Sequence, residues 1–159
     1  MTENGNFHLV GIRLHQKDGD AYSAEIARER EIALCDLVEC NSFKPLLSPG
    51  GPYELDLGIE ENRLIFNLKL AGGEHHGTFI MSLTPLRRVI KDYFAICDSY
   101  DNAIAKLPPD KLEAIDMARR GIHDEGAFIL QERLSSKICV DGDTARRLFT
   151  LICVLHLKG

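Results

Sequence analysis

Apolar and polar positions change their period several times along the chain, and each change marks an element. From Phe7 onward, Val10, Ile12 and Leu14 alternate with Gly11, Arg13 and His15, which predicts a strand with one covered face. QKDGDAY reads as a turn. Ser23 is placed to cap a helix through AEIAREREIALCDLVEC, in which Ile26, Ala33, Leu34, Leu37 and Val38 share one side while Glu25, Arg28, Glu29 and Glu39 face water. NSFKPLLSPGGP holds neither period and reads as an irregular connection, either a flap or an ordinary exposed loop. Two-residue alternation then returns: Tyr53, Leu55, Leu57 and Ile59 form one run, and Leu64, Phe66, Leu68 and Leu70 a second after a turn at Glu61 and Asn62. A turn at Ala71 to Glu74 leads to a third run with Phe79, Met81 and Leu83, completing a three-stranded antiparallel meander.

Helical spacing takes over from Thr84. Thr84 as N-cap and Pro85 at the first position open a helix to Lys106, with Leu86, Val89, Ile90, Tyr93, Phe94, Cys97, Tyr100 and Ile104 on one side. This helix is expected to be the spine on which sheet and helical layer meet. Pro108-Pro109 forces a break, Asp110 with Glu113 resembles a capping box, and Leu112, Ile115 and Ala118 line the next helix. Gly121 suits a C-cap, so HDEGAFILQERLS is expected as a further helix or a kinked continuation. Lys137 to Val140 reads as a short strand. Asp141 or Asp143 then caps TARRLFTLICVLHL, which is apolar nearly all round from Leu148 and belongs either in the domain centre or at a subunit interface. The order of elements predicts an α+β fold: N-terminal strand and helix, meander, then a layer of three to four helices.

With 159 residues, the chain is expected to form a single globular domain over 1–159, with 1–6 as a mobile tail. Composition is that of an ordinary globular protein, and the net charge of -5 argues against nucleic acid and anionic membranes as partners. The charge is uneven. Residues 1–83 carry 7 basic against 13 acidic side chains and residues 84–159 carry 12 against 11, so any basic patch must come from the second half. The five Cys fit no zinc or redox spacing and read as reduced core residues of a cytoplasmic protein. MTENGNF lacks the features of a signal peptide, and no apolar run is long enough to span a bilayer.

Three arginine pairs stand out. Arg87-Arg88 and Arg146-Arg147 fall near the starts of their predicted helices, where the macrodipole disfavours cations. An acidic group must therefore be near: a ligand phosphate or carboxylate held by the forked guanidinium groups, or Asp and Glu of the same chain. Arg119-Arg120 sits before Gly121, where a helix C-terminus would favour cations anyway. His123-Asp124-Glu125 alone combines a near-neutral titrating group with carboxylates, and His123 is the candidate acid or base; read as an ordinary helix start, its acids simply complement the dipole. His75 and His76 begin a strand and point to opposite faces, so they do not form a metal site. No P-loop, GxGxxG, HExxH or GxSxG occurs, and no cofactor or metal is expected.

SLTPLRRVIKDYFAICDSYDNAI, EAIDMARRGIHDEG and DTARRLFTLICVLHLKG, with NGNF and GPYELDL in support, give the chain its kinship. These stretches resemble a bacterial family of uncharacterised proteins in the UPF series, and the resemblance spans most of the chain. QKDGDAYSAEIA and SFKPLLSPGG do not contribute to it. The resemblance implies no established activity, cofactor or catalytic residue.

Three functional readings follow. The first is a non-catalytic binding or regulatory protein, homo-oligomeric through its apolar last helix, with an anionic small molecule held by Arg87, Arg88, Arg146 and Arg147. The second is an enzyme acting on a small acidic substrate, with His123 as acid or base and the arginines as clamps, which requires these groups to converge in one pocket. The third is a protein-protein interaction module that uses the proline-containing loop or the Thr84 helix.

Overall fold

The computed structural model describes residues 6–15 and 24–156, without the side chains of 24–26, 100 and 101. Residues 1–5 of the expected tail at 1–6, the QKDGDAY turn, the Ser23 cap and the side chains of Glu25, Ile26 and Tyr100 lie outside the described residues. In order, the elements are β1 (Leu9–Leu14), α1 (Ala24–Glu39), β2 (Phe43–Pro45), β3 (Tyr53–Glu60), β4 (Arg63–Leu70), β5 (His75–Ser82), α2 (Thr84–Ala103), α3 (Pro109–Leu134), β6 (Ile138–Val140) and α4 (Gly142–His156). The class is α+β, as the periodicity predicts.

The meander forms as its alternation dictates. Leu55, Leu57, Leu64, Phe66 and Leu68 are fully buried on one face, and Glu61 and Asn62, both at positive φ (52° and 63°), make the tight β3–β4 turn that suits the strand twist. β1 adds to β3 in parallel, giving the order β1-β3-β4-β5. Its core-facing residues are Leu9, Ile12 and Leu14; of the expected Val10, Ile12 and Leu14, only Val10 departs. A shift of register between Leu9 and Gly11 reverses the sides partway, and Val10 is left exposed. Asn41, just past α1, holds this irregular end: its amide accepts from Leu9 N–H at 2.7 Å and donates to the carbonyls of Leu9 and Leu37 at 2.9 and 2.5 Å.

NSFKPLLSPGGP is not wholly irregular. Phe43 to Pro45 pair antiparallel with Ile138 to Val140, a two-stranded sheet too short to show a period, and Phe43 is completely buried. The Gly51-Pro52 peptide is cis.

α2 begins at Thr84, but Leu83 occupies the cap position and the Thr84 hydroxyl accepts from Asn62 instead. α2 packs chiefly on α3. The hub of the fold is α4, which meets α3, α1 and β3 and is buried almost continuously from Thr144 to Leu155. Its apolar surface is thus covered by its own chain, the first of the two fates expected for it. Asp141 supplies its cap, accepting from Thr144 N–H at 2.9 Å.

α3 runs unbroken for 26 residues through Gly121, so the expected C-cap and the second helix start are both absent. A mid-helix glycine costs only about 1 kcal/mol, which a helix of this length absorbs when its C-terminal half is docked through Ala127, Leu130 and Leu134. Gly126 has a different role. A Cβ there would stand 2.3 Å from the ring of Phe149, so its lack of a side chain is what allows α3 and α4 to approach this closely. The cysteines depart from the core expectation: Cys153 is buried and Cys97 half-buried, but Cys35, Cys40 and Cys139 are exposed, because their positions fall on the outer side of α1, at its end and on the outward side of β6.

Candidate functional site

Continuity of α3 changes the local chemistry. In an unbroken helix Arg119 and His123 are one turn apart, and Arg120 is three residues from His123, so all three share a face. α4 answers with Asp143, Arg146, Arg147 and Thr150, and α1 with Glu29, Ile32, Ala33 and Asp36; both sets follow the i, i+3, i+4, i+7 spacing of a single stripe. Tyr93 of α2 completes a cleft of about 360 Å³ between these helices.

His123 forms part of its wall. The ring lies 5.5 Å from Tyr93 and 5.4 Å, edge-on, from Phe149. Its Nε2 is 2.7 Å from Thr150 Oγ1, and that hydroxyl donates to the Arg146 carbonyl at 3.2 Å. When the Thr150 hydrogen goes to the carbonyl, its oxygen is left to accept from a His123 Nε2–H. Nδ1 is buried and has no hydrogen-bond partner among the described residues. Burial, then the guanidinium groups of Arg146 and Arg119, lower the pKa of His123 to about 4, so the ring is neutral at pH 7. Tyr93, whose hydroxyl donates to Glu29 at 3.3 Å, stays protonated because burial, and then the charge of Glu29, raise its pKa.

The charged groups divide into satisfied and unsatisfied. Arg119 meets Asp116 at 2.5 Å and Glu29 at 3.9 Å, Arg120 meets Asp116 at 3.0 Å, and Arg146 pairs with Asp124. Glu29 is therefore half-buried and turned into the cleft, not toward water as its place in α1 suggests. Among the described residues, Arg147, Asp36 and Asp143 have no ion pair or side-chain hydrogen bond, although all three line the cleft.

The four arginines singled out in the sequence do not form one surface. Arg146 and Arg147 lie in the cleft with His123, whereas Arg87 and Arg88 border a separate hollow of about 530 Å³ with Ile90, Lys91, Phe94 and His156. Arg87 donates to Asn62 at 3.0 Å; Arg88 reaches Glu125 at 3.0 Å and Asp92 at 3.3 Å, so its acidic partners come from the chain itself. His75 and His76 diverge, His76 meeting the Ser48 hydroxyl at 2.9 Å and His75 that of Thr78 at 3.2 Å. Among the described residues no group of three or more His, Cys, Asp or Glu is arranged to hold a metal. Sequence reasoning missed Asp36 and Thr150. Asp36, one turn beyond Ala33 and Ile32 on α1, is the detectable one: an acid interrupting the stripe on a helix flank.

Residues 6–158 match the family described as Uncharacterised protein family (UPF0262). The UPF0262 protein of Brucella canis is 52% identical over 155 residues, covering 97% of this chain and 96% of its own. That of Rhodopseudomonas palustris is 51% identical over 157 residues, covering 99% and 96%. No solved structure matches the chain.

Proposed function

Since the chain belongs to the Uncharacterised protein family (UPF0262), whose function is not established, we propose a function from the cleft alone: a non-catalytic protein that binds a small molecule through an anionic group, in the space between α1, α3 and α4. The observation that carries this reading is the convergence of Arg119, Arg120, Arg146 and Arg147 with His123 on one cleft. Arg147 is the residue left to receive the anion, because the other three guanidinium groups already have carboxylate partners. The hollow beside Arg87 and Arg88 is the weaker candidate, since Arg88 is already paired and Arg87 donates to Asn62.

The same convergence meets only part of the requirement set for an enzyme with His123 as acid or base: Arg146 and Arg147 join His123 in the cleft, and Arg87 and Arg88 do not. A ring whose pKa is lowered to about 4 is a weak base at pH 7 and is not the imidazolium a general acid needs, which supports the binding reading over catalysis. A cytoplasmic location is inferred from the five free thiols; no described helix is long and apolar enough to cross a membrane. Homo-oligomerisation loses its original argument, because α4 is consumed by the core.

The test is a thermal-shift titration with inorganic phosphate and with propionate at constant ionic strength. Binding raises the melting temperature by mass action, and Arg147→Ala removes the shift while leaving the unliganded melting temperature within a degree or two. An equal shift in Arg147→Ala and wild type overturns the assignment.

A further inference from the structure

The walls of the cleft carry both signs of charge. Its four arginines face Glu29, Asp36 and Asp143, and once Asp116 and Asp124 behind them are counted, acids outnumber arginines five to four. A simple anion is therefore poorly matched: Arg147 attracts it, while Asp36 and Asp143 of the same lining repel it. Both Arg147 and Asp36 are half-buried, and neither has an ion pair within 4 Å among the described residues. Half-buried charges without partners are costly, and here the two signs stand unpaired on different helices, Asp36 on α1 and Arg147 on α4, across one cavity.

Resting on the binding role given to this cleft, we infer that its ligand is a small zwitterion, whose carboxylate or phosphate meets Arg147 and whose ammonium group meets Asp36 and Asp143. Such a molecule offers a partner to both signs of unpaired charge in the lining, which neither an anion nor a cation does. A cavity of about 360 Å³ admits a molecule of amino-acid size. The competing internal arrangement is an ion pair between Asp143 and Arg147, one turn apart on α4. Exposed pairs of that spacing are among the weakest and do not hold against a bidentate carboxylate or phosphate. It also leaves Asp36 unpaired.

Titration calorimetry with matched probes tests this: β-alanine against propionate, and phosphoethanolamine against ethyl phosphate, at pH 7 and constant ionic strength. The expected result is that each zwitterion binds at least about tenfold more tightly than its amine-free counterpart, the scale of one charge-assisted contact. Asp36→Asn abolishes this preference and slightly strengthens the plain anion, and Arg147→Ala weakens both members of each pair. Equal or tighter binding of the amine-free anions overturns the zwitterion and leaves the anion-binding role intact. Absence of binding by all four probes overturns both. Circular dichroism of the two variants, which replace partly exposed side chains, confirms that the comparison is made on folded protein.

Discussion

Gly121 and Gly126 lie five residues apart in α3, and replacing each by alanine should move stability in opposite directions. At Gly121 a Cβ meets nothing within 4 Å and the residue is exposed. The substitution then does no more than restrict the unfolded chain and improve helix propensity, a gain of about 0.5–1 kcal/mol. At Gly126 the new Cβ stands 2.3 and 2.4 Å from Cζ and Cε1 of Phe149, more than 1 Å inside ordinary contact. The ring cannot easily retreat: it is completely buried and packs edge-on against both Tyr93 and His123. An overlap this deep falls in the upper part of the about 1–3 kcal/mol that overpacking costs, from which the propensity gain of about 0.5–1 kcal/mol is subtracted. Gly126→Ala should therefore lose about 1–2 kcal/mol net, and for a domain of this size each kcal/mol moves the melting temperature by about 2–4 °C. Urea denaturation at 25 °C, followed by circular dichroism, reads both changes. A destabilised Gly121→Ala would mean that the helix breaks there in a left-handed cap; a neutral or stabilised Gly126→Ala would refute the close approach of α3 and α4.

Other outcomes follow from the same contacts. The depressed pKa of His123 means that the unfolded chain binds its proton near pH 6.5 and the native chain only near pH 4; stability therefore falls as pH drops through that window, by at most about 3 kcal/mol from this group. The pH slope should shrink in His123→Gln, and an unchanged slope would contradict the buried neutral ring. Proton NMR of Arg146→Ala should show the His123 pKa moving up, since a repelling charge is removed; a downward shift would reverse the assigned cause. Asn41→Ala leaves Leu9 N–H without its partner and should cost about 2 kcal/mol in the denaturant assay. Brief native alkylation followed by mass spectrometry should label Cys35, Cys40 and Cys139 and spare Cys153; labelling of Cys153 without unfolding would contradict its burial.

The meander, α2 and α4 were legible because their periods are long and consistent: eight-residue strands such as Tyr53 to Glu60, and the stripe Leu86, Val89, Ile90, Tyr93. Three-residue strands such as Phe43 to Pro45 contain no full period, and the parallel pairing of β1 with β3 depends on contacts some forty residues apart. Gly121 misled because glycine both ends helices and is tolerated within them, and only docking of the residues beyond it decides between the two. That decision carried the site with it. Read as two helices, the segment puts Arg119, Arg120 and His123 on separate elements with adequate local explanations; read as one, it sets them on a single face. The other walls of the cleft come from α1 and α4, more than a hundred residues apart in the chain, and no local pattern reports that meeting.

Because α4 is the hub, the order of synthesis sets the order of folding. The ribosome delivers β1 through β6 before Gly142 emerges, roughly 7–30 s of elongation at ordinary rates. Until then Leu37 of α1, Leu130 of α3 and Leu55 of β3 lack the element that joins their surfaces into one core. The meander can pair early through its own short turns, while α1 waits. A nascent chain of this protein should therefore stay open to chaperones until α4 is made, and its commitment to the native state waits on that helix.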